Sequence, residues 1–478
     1  MTIRPTQHAT YSQVQRGLLL NFAKLVRAQE QVATGKRIVR LSDDPVGASL
    51  TLAFKRQIAS SERYKTGVQG ARTMLDTASS SLQDVGGMLA EARSILLTSM
   101  NGTQSPDDRQ LFANSIRLIR DRVLEVANSR TGNRYLFAGT STTASPFVET
   151  SSSGVTSVQY VGNDESQRVL VGLDSELSVT LPGDEIFSLK QRSGTQFSGL
   201  TGVASGTSAD QGTGYRYLHV RHDSTSASGL AGGLALASGG ANDTLVGSHN
   251  LVLDAVAGTV QLDNGPPLLV PTPTSPNVSS FVVTNENGAV VQLDFSAYTG
   301  ASFSATLSGA ASISLDATNW TAVTLTETDL ELADAASGSV LHLDTQATHR
   351  AGVELVTLGG TVNVFDTLQG IVDDLDNVHS LDTHDLRRRL DMWLGELDRN
   401  HENLQIATGA LGSLSQRATG LEDSFDDETT QVRSLLSGVE DADYSQVVLE
   451  MTRAEQTLQL TQATSVRLLQ NSLLDFLR

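Results

Sequence analysis

The chain has 478 residues, 5% aromatic, with 41 glycines and no cysteine. Disulfides and cysteine-ligated metals are therefore excluded, and long helices with turn-rich sheets are favoured over one large globule. The net charge of −19 is segregated: residues 1–146 carry 19 Lys+Arg against 11 Asp+Glu (net +8), residues 147–361 carry 6 against 21 (net −15), and residues 362–478 carry 9 against 21 (net −12).

The cations of the front are interleaved with acids and never cluster, which argues against a nucleic-acid surface. Opposite charges at front and back favour attraction between the two arms, or between neighbouring copies head to tail. No apolar run approaches membrane-spanning length and the first ten residues lack a signal-peptide core, so neither membrane insertion nor a cleaved leader is expected.

Tyr11, Val14, Leu18, Leu25, Ala28 and Val32 repeat at heptad spacing with Asn21 in the seam, predicting a first helix over residues 10–34 that Gly35 ends. Asp44 before Pro45 is a helix start, because the carboxylate can accept an orphan N–H and proline needs no partner at the first helical position. Tyr64, Val68, Ala71, Leu75, Ala78, Leu82, Val85, Leu89, Ala92 and Leu96 then keep four-three spacing. Such a helix would span about 80 Å at 1.5 Å per residue. Gly86-Gly87 in its middle predicts a close helix contact or a bend. Ser105-Pro106-Asp107-Asp108 starts a third helix that closes at Gly132, making an αα-hairpin.

The period changes to two at Tyr135-Leu-Phe137, and short alternating runs follow to about residue 345, among them Tyr215-Arg-Tyr-Leu-His-Val220, Thr259-Val-Gln-Leu262 and Phe281-Val-Val-Thr284. Asn285-Glu-Asn-Gly288 reads as a hairpin turn. The Gly/Ser/Ala-rich stretches at 199–214 and 226–242 read as mobile loops or a subdomain boundary. Helical spacing returns at about Val362, breaks near Ser380, and then holds one heptad frame from Leu386 to Val439 with Asn400 and Glu428 at seam positions, where polar groups fix register. Asp441-Ala-Asp443 interrupts it. In the last helix, Val447, Met451, Ala454, Leu458, Thr461, Ser465 and Leu468 form the seam, opposite a face of glutamine, threonine and serine.

The order of elements is thus nearly palindromic. It predicts an α+β chain: an elongated coiled-coil rod made from both chain ends, with an inserted β-rich head. The expected parts are 1–40 (terminal helix), 41–134 (long helical hairpin), 135–361 (head, with about 190–355 an extra insertion), 362–440 (return helices) and 441–478 (C-terminal helix).

This layout, with three local motifs, resembles the bacterial flagellin family. Leu41-Ser-Asp-Asp-Pro-Val-Gly-Ala48 is similar to the turn that starts the family's long helix, through Asp43, Asp44, Pro45 and Gly47. Asn133-Arg-Tyr-Leu-Phe-Ala-Gly139, with Tyr135, Phe137 and Gly139, resembles the crossing from helix to β domain in the branch that joins hook to filament; Tyr160-Val-Gly-Asn163 and Gly183-Asp-Glu-Ile-Phe187 fit the same branch.

The resemblance covers about residues 1–190 and 360–478 and assigns the middle no role. It implies a structural protein without catalytic residues or cofactors, exported unfolded through the flagellar type III channel. It would assemble as a ring of copies on another hook-associated junction protein, with flagellin adding beyond it and an export chaperone holding the C-terminal helix. The seam residues Tyr11, Val14, Leu18, Leu25, Val32, Val447, Met451, Ala454, Leu458 and Leu468 are the expected assembly contacts. A filament-forming flagellin, or a secreted adhesin with its β head on a helical stalk, are the alternatives.

Catalytic and metal motifs are not evident: the closest histidine pairs, His219/His222 and His379/His384, lack zinc spacing. Asp373-Asp374-Leu-Asp376 lacks the glycine and glutamate of a calcium loop and reads as a solvated helix face. Trp320 and Trp393 read as core residues.

Overall fold

The computed structural model describes residues 7–101, 105–152, 155–172, 174–189, 194–334, 337–359, 362–381 and 383–476; the side chains of 7–10, 152, 384 and 468–476 lie outside that description. Seven α-helices occur among the described residues: α1 (Gln7–Thr34), α2 (Pro45–Ser99), α3 (Pro106–Ala127), α4 (Gly183–Phe187), α5 (Val364–Leu375), α6 (Thr383–Glu440) and α7 (Tyr444–Phe476). The starts and stops follow local chemistry. Gly35 takes a left-handed φ of +68° after α1. Asp44 accepts the Gly47 amide at 2.9 Å ahead of α2. A capping box between Ser105 and Asp108 opens α3. Asn377 and Ser380, both at positive φ, separate α5 from α6 at the expected break.

The chain divides into two compact units, one of Met1–Arg72, Val169–Leu177 and Gln416–Arg478, the other of Thr73–Arg168 and Ser178–Ser415. In the first, the beginning of α2 meets the end of α6 through a tilted Tyr64–Phe425 ring pair with centroids 6.0 Å apart. Polar contacts flank it. Glu428 accepts from Gln57 (2.9 Å) and Ser61 (3.0 Å), Lys65 meets Asp426 (2.6 Å), and Arg433 meets Glu62 (2.7 Å). Glu428 is thus a satisfied polar seam residue. Leu435, placed in the seam by spacing, is 55% exposed.

In the second unit, Leu75, Leu82, Leu89 and Leu96 of α2 and Leu390, Leu397, Leu404 and Leu411 of α6 are buried. Asn400 is buried too, and bonds to Thr367 of α5 at 3.0 Å. α2 runs without interruption through Gly86-Gly87, and a β-carbon at Gly86 would make only ordinary contact with Leu404 at 3.7 Å. Nothing in the structure requires glycine there.

The β-rich part of this unit is built on an antiparallel eight-stranded sheet. Its central strands are Gly247–Asp254, Phe303–Ser314, Tyr215–Ser228 and Gly352–Thr357. One core gathers Leu251, Leu262, Val291 and Leu307; a second gathers Leu218, Ile313, Leu341 and Val356. The Phe281–Thr284 and Val290–Asp294 strands pair across the expected turn, where Gly288 has φ +75°.

Three expectations are corrected. Strands continue past residue 345 to Val362–Asn363. The stretch 226–242 is not a free loop: its first residues finish the long strand, Leu234 is buried, and Ala235–Leu236 pairs with the Val290–Asp294 strand. In 199–214, Val203 is buried and Ala204–Ser205 pairs with Asp344 and Leu343. Small side chains let these segments lie close to other backbones, and composition alone reads that as looseness.

A buried polar knot anchors the long strand to the helices. Trp393 Nε1 donates to Asp374 Oδ2 (2.7 Å), Arg389 pairs with Asp374 (2.7 Å), and the Tyr215 and Tyr217 hydroxyls donate to Asp373 Oδ2 at 3.1 and 3.4 Å. Asp373 and Asp374 are therefore neither a calcium loop nor a solvated face. Asp376 is paired with Arg117 at 2.8 Å.

Candidate assembly interface

Two chain ends that each carry a narrow apolar stripe have to cover it with each other. α1 and α7 pack side by side, antiparallel: Gly35 meets Ala442 at one end, and further along Asn21 donates to Thr461 Oγ1 at 2.8 Å. Along the seam Ala28, Val447, Leu458 and Ser465 are buried, while Val14, Leu18, Leu25, Val32, Met451 and Ala454 are half-buried. Tyr11, assigned to the seam by spacing, is instead exposed, and the side chain of Leu468 lies outside the described residues. The outer surface of the pair carries large apolar side chains: Leu19, Leu20 (64% exposed) and Phe22 on α1, and Leu449, Leu460 (66% exposed) and Val466 on α7. The heptad pattern singled out the seam and placed Phe22 beside it, but passed over the rest of this outer set, whose signal was Leu18-Leu-Leu20 running off the stripe.

The Asp43–Gly47 motif builds the junction next to this pair. Asp43 accepts from the Arg40 amide at 2.9 Å and pairs with Arg27 at 3.1 Å. Asp44 uses one oxygen on the Gly47 amide and the other on Arg37 (3.2 Å); the Gly47 hydrogen bond first, and Arg37 second, hold its carboxyl below the usual carboxylate range. A β-carbon at Gly47 would press on the side-chain ends of Asp44 and Ile38, so a larger residue there would have to displace the carboxylate that caps α2.

Opposite the motif stands Glu440, which the sequence reading did not single out. Its carboxylate accepts from Lys36 at 2.8 Å and Lys55 at 2.7 Å, and its carbonyl accepts from the Arg37 amide at 2.7 Å. It carries no periodic signal, being only the last residue of α6. Burial raises its carboxyl, but the two lysine hydrogen bonds outweigh that and leave it below the ordinary range. A depressed carboxyl stabilises the fold above its unfolded pKa and loses that contribution as pH falls through its folded one. Amide exchange around residues 35–44 and 441–443 is therefore expected to quicken selectively below the ordinary glutamate range. Glu440→Ala should show the same loosening at neutral pH, and protection unchanged by the substitution would contradict this.

The second motif set lies in the other unit and is packing. The rings of Phe137, Phe147, Phe187 and Phe365 form one cluster with centroids 5.1–5.7 Å apart. Gly183 donates to the Phe137 carbonyl at 2.8 Å and the Tyr160 hydroxyl donates to it at 3.2 Å. Gly139 sits at φ +64°, where a side chain would overlap Asn163. Tyr135 is buried beneath the Arg130 guanidinium, 4.1 Å from its centroid. The three motifs quoted from residues 133–139, 160–163 and 183–187 thus meet in one place.

Among the described residues no three His, Asp or Glu side chains are grouped so as to hold a metal ion, and no helix is long and apolar enough to cross a membrane. His222 bonds to Thr225 at 2.9 Å, His379 lies against Tyr217, and the side chain of His384 lies outside the described residues. Trp320 is half-buried with Arg221 over its ring at 4.2 Å; Trp393 is fully buried.

Residues 6–142 match the bacterial flagellin N-terminal helical region. The chain is 34% identical over 178 residues to flagellar hook-associated protein 3 of Escherichia coli K12, a match covering 37% of this chain and 54% of that protein. It is 30% identical over 187 residues to flagellar hook-associated protein 3 of Salmonella typhimurium, covering 39% and 57%. The chain thus spans just over half the length of the curated relatives it matches. Among solved structures, flagellar hook associated protein-3 from Legionella pneumophila aligns over 81% of this chain and 98% of its own, with a TM-score of 0.44 and 14% identity.

Proposed function

We propose that this chain, whose residues 6–142 carry the bacterial flagellin N-terminal helical region, is a structural subunit of the flagellum that joins hook to filament. The observation that carries the reading is the α1–α7 pair: its seam is covered, yet Leu19, Leu20, Phe22, Leu449, Leu460 and Val466 face outward. Exposed large apolar side chains on both helices of a pair suit a subunit that buries them against neighbouring copies. In this reading residues 1–40 and 441–478 are the assembly arms and 135–361 the β-rich head. The copies form a ring seated on another hook-associated junction protein, flagellin adds beyond it, and an export chaperone holds the C-terminal helix during type III export to the extracellular flagellum.

Cells lacking the protein are expected to keep hooks and shed unpolymerised flagellin into the medium; normal filaments in such cells would refute the proposal. Purified protein growing into long fibres unaided would favour a filament subunit instead.

Helices with a weak seam and an uncovered apolar outer face depend on quaternary contacts for their stability. In dilute monomer, amide exchange is therefore expected to be fast across α1 and α7 and slow across residues 75–96 of α2. Equal protection of both regions would count against the assembly arms.

A further inference from the structure

Between α1 and α7, on one side of the pair, runs a groove of about 480 Å³ lined by Asn21, Lys24, Arg27, Gln31, Glu450, Arg453 and Thr457. It is polar and carries three cations against one acid. Arg27 is engaged with Asp43, and Glu450 accepts a bond from Gln446 at 3.3 Å. Lys24 and Arg453 are exposed and make no ion pair among the described residues. The two cations without an ion pair, Lys24 and Arg453, leave the groove with an excess of positive charge that favours an incoming anionic surface.

The complementary surface is on α6 of the same unit. There the acids alternate between two faces. Glu422 is held by Arg72 (3.2 Å) and Gln69 (2.7 Å), and Asp426 by Lys65 (2.6 Å), so both serve the contact with α2. Asp423 and Asp427, each one residue further on, are exposed and make no ion pair among the described residues. Four residues apart on a helix, they stand about 6 Å apart along its axis, close to the spacing of about 4.5 Å between Lys24 and Arg27. Within one chain α1 is committed to α7, and α6 is committed to α2, so each charged face is left open.

We propose that the Lys24–Arg27–Arg453 groove receives the Asp423–Asp427 edge of α6 from a second copy of this chain. This rests on the self-assembly reading above and adds to it a specific heterologous contact: groove of one copy, acidic edge of the next. A contact between two different patches repeats from copy to copy, and so closes into a ring when the rotation between copies allows it. The segregated charge of the whole chain, positive over residues 1–146 and negative over 362–478, favours the same head-to-tail polarity.

The test uses the full chain and sedimentation equilibrium at low and high salt. Lys24→Glu with Arg453→Glu, and separately Asp423→Lys with Asp427→Lys, should each weaken self-association by about tenfold or more at low salt, and the loss should shrink at high salt. All four substitutions in one chain restore complementary charge and should bring association back to within about threefold of the original. Circular dichroism of each variant controls for folding, and Lys24→Gln with Arg453→Gln gives a milder change at the same positions. An unaltered chain that associates while both reversals leave association unchanged, or four substitutions that fail to restore it, would overturn this contact alone. An unaltered chain that stays monomeric at every concentration would overturn the self-assembly reading and the contact together.

Discussion

Trp393→Ala is expected to destabilise the unit of Thr73–Arg168 and Ser178–Ser415 by about 4 kcal/mol. Three losses coincide at this residue. The indole is fully buried, so its removal leaves a cavity. Its N–H donates to Asp374, a carboxylate with no exposure, which would be left with Arg389 alone. Its ring also meets Tyr215 edge-on at 5.6 Å, at the start of the long strand. Burying an undersatisfied charge adds to the cavity term. Trp393→Phe keeps most of the volume and drops the donor, and should cost about 1–2 kcal/mol. Gly370→Ala tests the same contact from α5, because a β-carbon there would overlap the Trp393 ring. Denaturant unfolding of the three variants checks the order. Trp393→Ala costing no more than Trp393→Phe would show that the ring does not hold α5 against α6.

The second large effect is a pH dependence that Asp366→Asn should remove. Asp366 sits in the first turn of α5, where its carboxylate accepts from the Val158 amide (3.1 Å) and from Asn363 Nδ2 (3.0 Å). Burial pushes the carboxyl up to about 7, against the opposing pull of the Val158 amide and of Arg216. A carboxyl raised in the folded state stabilises the fold fully below the ordinary carboxylate range. That contribution is lost as pH climbs from there to about 7, because the buried group has to ionise while the unfolded one already has. Between pH 4 and pH 8 the asparagine variant should therefore gain roughly 3 kcal/mol relative to the unaltered chain. Asparagine keeps an acceptor for Val158 and places a second amide against Asn363, so its stability at pH 4 should be slightly lower. Parallel pH profiles for the two proteins would contradict the assignment.

Much of the helical part was legible from residue order. The seam from Val68 to Leu96 is buried as spacing required, Asp44-Pro45 and Ser105-Pro106 start helices, and Asp441-Ala-Asp443 separates α6 from α7. Helix periodicity and caps are local, so a window of a dozen residues contains the signal. The motifs were legible as a pattern, but not as a place: only the fold shows Phe137, Phe147, Phe187 and Phe365 in one cluster, with Gly139 and Gly183 making room for it.

The Phe303–Ser314 strand was missed although it lies near the centre of the largest sheet. Its inward positions include Ala305, Leu307, Gly309 and Ala311, and three of those four are too small to register as hydrophobic alternation. A β-carbon at Gly309 would overlap Leu245, so the close packing that makes this strand central also removes its sequence signal. The acids Asp373 and Asp374 were misread for the converse reason. Their burial depends on Arg389, Trp393, Tyr215 and Tyr217, which come from outside α5.

Residue order carried the palindromic sequence of helices around a β-rich middle, the starts of α2 and α3, and the likeness to the flagellin N-terminal region, because each rests on residues close together in the chain. The third helix, expected to close at Gly132, ends at Ala127, where the chain turns into a short strand pair. Tertiary structure alone decided which charges are free. Glu422 and Asp426 are used on α2 while Asp423 and Asp427 are open, Glu440 binds two lysines, and Lys24 and Arg453 share a groove. Adjacent residues of one composition differ in this way because a partner hundreds of positions away occupies one face of the helix and not the other.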